Sequence, residues 1–168
     1  QNDKSEKKIE AWVTSLDKQN LLKKRDLSVE IEEAEATITI DSTQTYQEID
    51  GFGYTLTGGS ALHLNNMTDS TRADLLQELF GTGEDEIGVS YLRLSIGASD
   101  LDEAPFSYND LPEGETDEKL EQFSLANDTP NLIPVLKEIL EITPEIKILG
   151  SPWSPPVWMK DNGDTRGG

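Results

Sequence analysis

Apolar and polar side chains alternate in short runs over the first fifty residues, a pattern typical of antiparallel strands. Three strands are predicted here, over residues 9–14, 36–40 and 44–49. The mixed segment 17–26 instead predicts a short helix around Leu21 and Leu22. We expect these strands to form a small antiparallel sheet.

From Asp50 onward the pattern changes to strands that alternate with amphipathic helices. Three strands are predicted, over residues 51–57, 89–96 and 146–150, and the first reads as buried on both faces. Two helices are predicted between them, over residues 68–80 and 131–142. Thr68 or Asp69 is expected to cap the first helix, and Asn131 the second. This alternation predicts a parallel sheet with crossover helices.

The change at Asp50 predicts two units, with residues 1–49 supplying N-terminal strands and residues 50–168 an α/β unit. The chain begins at Gln1 without an initiator methionine, which fits either a processed, exported form or a boundary cut within a longer sequence. Three glycines lie within the last six residues, which favours a fragment that ends inside a loop over a naturally flexible tail. We therefore expect a piece of a longer protein.

Charge narrows the classes of partner. The chain carries 33 acidic residues against 14 Lys and Arg, for a net charge of −19. Nucleic acid is excluded as an expected partner because phosphates require basic patches, and anionic membrane surfaces are disfavoured likewise. No apolar run approaches the ~18 residues of a membrane span. The chain has no Cys, which excludes a disulfide, a thiolate metal site and a cysteine nucleophile. Its single His, His63, disfavours a Ser-His-Asp triad and a His-rich metal site, so carboxylate chemistry or binding without chemistry remains.

Nine of the acidic residues lie between positions 100 and 121. They show none of the spacing of a calcium-binding loop. We interpret this acidic loop as a solvated surface segment, with Asp100 and Asp102 as exceptions because they follow directly after a predicted strand.

Polar clusters follow each predicted strand of the α/β unit, at residues 57–60, 97–100 and 151–158. Functional groups gather at this end of the strands in parallel α/β folds. The third cluster holds Trp153, Trp158 and three prolines. Because proline restrains the backbone, both indoles would be held rigidly, as a surface for the C–H groups of a sugar ring. The alternative, that either indole packs in the core, stays open.

Other candidates carry weaker signals. The glycines of segment 51–53 do not match a phosphate-binding pattern and fit a tightly packed strand at least as well. Arg93 lies within a predicted strand among apolar neighbours, so we expect it to be buried with a carboxylate partner, either structural or in an active site. His63 is interpreted as structural rather than catalytic.

Three blocks resemble glycoside hydrolase family 30, at residues 49–61, 91–108 and 149–160. This family includes glucosylceramidase, β-1,6-glucanases and β-glucosidases. The resemblance extends over residues 36–168. It implies that the chain forms about three strands of a (β/α)8 TIM barrel, with strands of a side β-sandwich, in an enzyme that uses two glutamates in a retaining mechanism and needs no metal or other cofactor.

The resemblance also implies roles for individual residues. Asp100 would bind sugar hydroxyls in the glycone subsite and Trp153 would line that subsite. Arg93 would lie beneath it, near the nucleophile, while Trp158 and Asn162 match the family pattern in roles that are less defined. Where many members have Thr-Asp-Ala this chain has Thr-Gly-Gly at residues 57–59, a variant similar to bacterial β-1,6-glucanase-like members.

Neither catalytic glutamate of the family is matched within this chain. They follow the fourth and seventh barrel strands in the family, and a complete barrel takes about 250 residues. Asp50 and Asp100 are rejected as a catalytic pair because one begins a strand and the other follows one. Both glutamates are therefore expected beyond residue 168, and the remainder of the polypeptide is needed to complete the barrel.

The expected function is that of the N-terminal portion of a retaining β-glycosidase acting on a β-glucan, a β-glucoside or glucosylceramide. The chain alone is expected to be inactive, and the protein to be secreted, periplasmic or at a bacterial cell surface. One alternative is a non-catalytic carbohydrate-binding module that uses Trp153 and Trp158. Another is an acidic α/β domain that binds a partner protein.

Overall fold

The structure, a computed structural model, describes residues 9–27 and 38–168. The chain divides into two compact units, Gln1–Gln47 and Glu48–Gly168. Within the described residues, no helix has the length and apolar character needed to cross a membrane.

The first unit contains a two-stranded antiparallel hairpin. Strand β1 spans Ile9–Val13 and pairs with β2, Lys23–Leu27. The strand predicted at residues 9–14 is therefore confirmed, but the helix predicted over 17–26 is wrong. Lys18 and Leu22 adopt positive φ angles of 59° and 47°, which a right-handed helix does not allow. The segment instead forms the connection that lets β2 pair with β1.

The strand predicted at 44–49 is not observed, and the described part of the strand predicted at 36–40, residues 38–40, is not in a strand either. Residues 36 and 37 lie outside the described part, and 38–49 have no regular strand or helix. Their apolar side chains face solvent: Ile38 is 89% exposed, Ile40 88% and Tyr46 86%. Alternation alone does not make a strand, because the backbone needs a hydrogen-bonding neighbour, and the described residues supply none here. The side β-sandwich is accordingly not shown.

The second unit is built around a three-stranded parallel sheet. Its elements are, in chain order, β3 (Gly53–Leu56), α1 (Gly58–Asn65), α2 (Asp69–Phe80), β4 (Tyr91–Ile96), α3 (Leu132–Ile142) and β5 (Lys147–Pro152). The strands lie in the order β3-β4-β5. The predicted parallel sheet with crossover helices is confirmed, with α1 as an additional helix that the sequence analysis missed.

One face of the sheet is covered by helices. Leu56 of β3 and Leu92 of β4 are 1% and 0% exposed, and they pack with buried side chains of the helices. The helix residues of this core are Ala61, Leu76, Phe80, Leu132, Val135 and Ile139. Helices α2 and α3 are also joined by Arg72, whose Nε lies 3.0 and 2.9 Å from the two carboxylate oxygens of Glu138.

The other face of the sheet is open. The register places Thr55 beside Arg93, and Arg93 beside Leu149, which is 50% exposed. The prediction that segment 51–57 is buried on both faces is therefore wrong, and only Leu56 and Thr57 are buried within it. The described helices pack on one side of a strand whose other side has no covering layer among the described residues.

The helix caps agree only in part with the sequence. Thr68 caps α2, since its Oγ1 accepts from the N–H of Thr71 at 3.3 Å. Asn131 occupies the N-cap position of α3 but makes no capping bond. Its side-chain oxygen accepts from Asn65 Nδ2 at 3.1 Å, so it ties α3 to the end of α1 instead.

Candidate functional site

The strand ends place the three polar clusters at one edge of the sheet. Leu56 pairs with Leu94, and Ile96 pairs with Pro152, so the segments that follow β3, β4 and β5 leave the same carboxyl edge. Asp50 lies at the opposite edge, where its Oδ1 is 2.6 Å from Lys147 Nζ. The rejection of Asp50 as a catalytic partner of Asp100 agrees with this arrangement.

Glycines allow close contacts at the start of strand β3 and just after its end. A Cβ on Gly53 would fall 1.5 Å from the Tyr91 carbonyl oxygen, so the strand pairing itself demands glycine there. A Cβ on Gly58 would fall 1.8 Å from Asp102 Oδ1. The Asp102 carboxylate therefore occupies the space into which a side chain at position 58 would point.

Asp102 is held in that position by the turn after β4. Its Oδ2 accepts from the backbone N–H of Ser99 at 2.6 Å and from the Ser99 hydroxyl at 2.8 Å. Asp100, between them, is exposed. The strand-end carboxylates thus have separate surroundings: Asp102 is engaged by the turn, and Asp100 is open to solvent.

The acidic loop is organised by its own carboxylates. Asp110 accepts from the N–H and hydroxyl of Ser107 at 2.7 and 2.6 Å. Asp117 is 9% exposed and accepts from Gln122 N–H at 2.7 Å, Glu121 N–H at 3.0 Å and Asn109 Nδ2 at 3.0 Å. These bonds, that from Gln122 foremost, lower the pKa of Asp117. The interpretation as a merely solvated loop is wrong for Asp117, because backbone donors draw it inward.

No group of three or more His, Asp or Glu side chains among the described residues is arranged to hold a metal ion.

A second carboxylate is buried beneath the loop. Asp128 is 6% exposed and accepts a hydrogen bond from the hydroxyl of Tyr108. Burial raises the pKa of Asp128, and the hydrogen bond from Tyr108 opposes that rise. Burial, with the hydrogen bond to Asp128, raises the pKa of Tyr108 to about 12. Tyr108 therefore stays protonated as a donor throughout the neutral range.

The two indoles line two adjoining clefts. Trp153 is 40% exposed and lines a cleft of about 460 Å³. Trp158 is half-buried, donates from Nε1 to the carbonyl of Asn109 at 2.9 Å, and lines a cleft of about 790 Å³ with loop residues 110–116. Lys160, Asp161 and Thr165 border both clefts. Neither indole is sealed in the hydrophobic core.

The environment of Arg93 differs from the prediction. Its guanidinium is exposed on the open face of the sheet, and Nη2 donates to Ser151 Oγ at 3.0 Å. None of the described carboxylates forms an ion pair with it. The expectation of a buried arginine with a carboxylate partner is therefore wrong for the described residues. Ser95 on the same strand face is buried, but Leu149 beside Arg93 is 50% exposed, so the guanidinium reaches solvent there.

Asn162 and His63 lie outside these contacts. Asn162 organises the segment that follows, since its Nδ2 donates to the Arg166 carbonyl at 2.7 Å and its Oδ1 accepts from Asp164 N–H at 3.2 Å. His63 lies exposed on α1. No described contact brings either residue into the clefts as a ligand-binding group.

Asn109 and Asp117 are residues near the site that the sequence analysis missed. Asn109 is 3% exposed and connects Asp117 to Trp158 through its side chain and its carbonyl. Asn109 lies inside the segment Ser107 to Asp110, which has the Ser-x-x-Asp spacing of a turn closed by its side chains, as has Ser99 to Asp102. That spacing marks ordered turns within the acidic stretch. No such spacing marks Asp117.

Comparisons with known proteins identify the barrel segment. Residues 49–168 match the family model described as the glycosyl hydrolase family 30 TIM-barrel domain. An endo-1,6-β-D-glucanase of Neurospora crassa is 36% identical over 133 residues, covering 77% of this chain and 27% of that protein. The lysosomal acid glucosylceramidase of Mus musculus is 30% identical over 132 residues, covering 77% of this chain and 25% of that protein.

Solved structures agree with this assignment. The endo-β1,6-glucanase BT3312 superposes with a TM-score of 0.70 at 34% identity, covering 86% of this chain and 30% of that one. SrfJ from Salmonella typhimurium superposes with a TM-score of 0.74 at 30% identity, covering 90% and 33%. The chain thus spans about a quarter of the length of the curated relatives it matches. It belongs to glycosyl hydrolase family 30, and its three-stranded parallel sheet is part of that family's TIM barrel.

Proposed function

We propose that this chain supplies part of the sugar-binding wall of a retaining β-glycosidase. The observation that carries the proposal is the placement of Trp153 and Trp158 in clefts beside the carboxyl edge of a family 30 barrel sheet. Indole faces pack against sugar C–H groups, and polar groups around them bind the hydroxyls. Asp100 is open to solvent near the same edge and accepts hydroxyl hydrogen bonds in this proposal.

The catalytic pair of glutamates is proposed to lie beyond residue 168. Retaining hydrolysis needs two carboxyl groups about 5 Å apart, one to protonate the leaving oxygen and one to attack the anomeric carbon. Asp50 precedes strand β3 and Asp100 follows strand β4, so the two carboxylates lie at opposite edges of the parallel sheet and do not meet this requirement. Arg93 uses Nη2 for Ser151. In this proposal its other N–H groups bind the carboxylate of the nucleophile, which is proposed to lie beyond residue 168.

The proposed substrates are β-glucosidic: a β-1,6-glucan, a simple β-glucoside or glucosylceramide. Support comes from the names of the relatives, which are endo-1,6-β-D-glucanases and glucosylceramidases. A neutral sugar is also compatible with a chain whose net charge is −19, which repels anionic ligands.

Export of the protein is proposed as well, since a polymeric glucan lies outside the cell. Fractionation of the producing cells tests this proposal.

The decisive experiment uses the full-length protein. We expect release of glucosyl units from at least one of a soluble β-1,6-glucan, an aryl β-glucoside and glucosylceramide. The anomer formed first, followed by proton NMR, retains the β configuration. Inversion, or inactivity on all three substrates, would refute the proposal.

A substitution at Asp100 tests its role. Asp100→Asn removes a charged acceptor and lowers kcat/KM by about 10- to 100-fold, the usual cost of a hydrogen bond to a charged group. Glu103→Gln is the matched control, because Glu103 is an exposed acid of the same segment. Equal losses in the two variants would mean that the effect is general charge and not hydroxyl binding.

A non-catalytic sugar-binding module is the second candidate function. It is favoured by the two cleft-lining indoles, since aromatic faces can bind sugar rings without a catalytic residue beside them. Isothermal titration of the full-length protein with gluco-oligosaccharides, run beside the hydrolysis assay, distinguishes the two candidates. Binding by the full-length protein without hydrolysis supports the module.

A further inference from the structure

A cleft separate from that of Trp153 lies between the acidic loop and the segment after β5. It has a volume of about 790 Å³, which lies in the range of small-molecule sites. Trp158 and Phe106 line it as aromatic surfaces, and residues 110–116 form its opposite wall.

The aromatic surface of this cleft is held in a fixed orientation. Trp158 Nε1 donates to the Asn109 carbonyl at 2.9 Å, and Asn109 Nδ2 donates to Asp117 Oδ2 at 3.0 Å. Phe106 packs against Tyr108 with ring centroids 6.2 Å apart. A ring that is anchored at its edge presents its face without the entropy cost of ordering on binding.

The polar groups of the cleft define the ligand chemistry. Four carboxylates line it against one ammonium group: Asp110, Glu113, Glu115 and Asp161 against Lys160. Carboxylates accept from hydroxyl groups, whereas this excess of negative charge repels phosphates and uronic acids. The combination of flat apolar faces with hydroxyl acceptors fits a neutral sugar ring.

We infer that this cleft is a second saccharide subsite, which binds a neutral glucosyl unit adjacent to the one held at Trp153. Resting on the proposed function, the inference narrows it: the substrate is an extended β-glucan chain in preference to a single β-glucoside. Lys160, Asp161 and Thr165 border both clefts, so one segment of the chain separates neighbouring sugar units. The acidic loop is then a specificity element.

The test compares two substrates of the full-length enzyme. The ratio of kcat/KM for a neutral gluco-oligosaccharide to kcat/KM for an aryl β-glucoside is measured, because only the oligosaccharide reaches the second cleft. Trp158→Ala lowers this ratio about tenfold, the equivalent of ~1.4 kcal/mol. The double variant Glu113→Gln/Glu115→Gln, at two exposed loop positions, lowers it several-fold with no risk to the core. Glu118→Gln, an exposed acid of the same loop outside the cleft, is the control.

Each outcome separates the inference from the proposed function. If the unsubstituted enzyme hydrolyses both substrates and the loop variant's ratio stays within twofold of it, the second subsite is refuted while the glycosidase proposal stands. If the ratio falls in the loop variant and not in Glu118→Gln, the subsite is supported. A full-length protein that hydrolyses neither of these substrates nor glucosylceramide refutes the proposed function itself and, with it, this inference. Hydrolysis of glucosylceramide alone refutes only the second subsite.

Discussion

The indole of Trp158 is tied to the acidic loop through the backbone of Asn109, since Nε1 donates to that carbonyl at 2.9 Å. The side chain of Asn109 is bound in turn by Asp117 at 3.0 Å. An aromatic residue after strand β5 and a carboxylate of the loop after β4 are therefore parts of one hydrogen-bonded unit. Their positions in the sequence are 41 residues apart.

Trp158→Phe keeps an aromatic ring and removes the donor to Asn109. We expect a loss of about 1 to 2 kcal/mol in the free energy of unfolding, because a hydrogen bond and some buried ring area are lost together. Urea unfolding of the full-length protein measures this loss. Trp153→Phe is the control, since the Trp153 indole is 40% exposed and has no hydrogen bond to a described residue; an equal loss there would contradict the argument.

Acid sensitivity is expected to depend on Asp117. Its folded pKa is lowered, by the backbone N–H of Gln122 first, so its stabilising contribution is present above its ordinary value and is lost as pH falls through the lowered value. Unfolding free energies measured from pH 5 to 2.5 should fall less steeply in Asp117→Asn than in the unsubstituted protein. Glu118→Gln should keep the original slope. Parallel curves for all three proteins would show that Asp117 does not carry this dependence.

Alkaline conditions are expected to weaken the contact between Tyr108 and Asp128. The pKa of Tyr108 is raised to about 12 in the folded protein, whereas in the unfolded state this phenol ionises at its lower, ordinary value. Its contribution to stability is therefore complete below about pH 10 and is lost as pH rises toward 12. Tyr108→Phe should flatten the fall in unfolding free energy above pH 10. Ultraviolet titration at 295 nm gives an independent check: a late-titrating phenol should disappear in this variant.

The glycine pair at the start of α1 is expected to resist substitution for two different reasons. A Cβ on Gly59 would meet the backbone oxygen of Leu101 at 2.2 Å, and one on Gly58 would meet the Asp102 carboxylate at 1.8 Å. Gly59→Ala should cost about 1 to 3 kcal/mol, the range for overpacking. Thermal or urea unfolding measures both variants.

The Gly58→Ala loss should shrink when Asp102→Ala is added, because the obstructing group there is a side chain. No such relief is available at Gly59, where the obstacle is backbone. Additive effects of Gly58→Ala and Asp102→Ala would contradict the packing described.

The 168-residue chain is expected to associate when it is produced alone. Strands β3 and β5 each have one edge without a strand partner among the described residues, and Tyr54, Ile148 and Leu149 are 41%, 44% and 50% exposed. Unpaired edges and apolar faces favour self-association. Gel filtration with light scattering should show oligomers or aggregate. A sharp monomer peak with cooperative melting would count against this expectation.

Elements whose stability comes from local signals could be predicted from the amino-acid sequence. Helix α2 begins at the Thr68 cap and ends before Gly81, and its apolar stripe is set by 3.6-residue periodicity. The alternation of strands and helices from Asp50 onward established the parallel sheet, and the strand-end motifs indicated the family before any contact was known. Trp153 and Trp158 were recognisable because aromatic and proline residues are concentrated in one short segment.

Features that depend on partners distant in the sequence could not be predicted and became visible only in the folded chain. Residues 38–40 and 44–49 carry the pattern of two strands, yet neither has a pairing neighbour among the described residues. Arg93, predicted to be buried, is exposed. The Asp117–Asn109–Trp158 unit joins segments that no local pattern relates. Burial and hydrogen bonding each require two segments in contact. The sequence of one segment does not specify which distant segment packs against it.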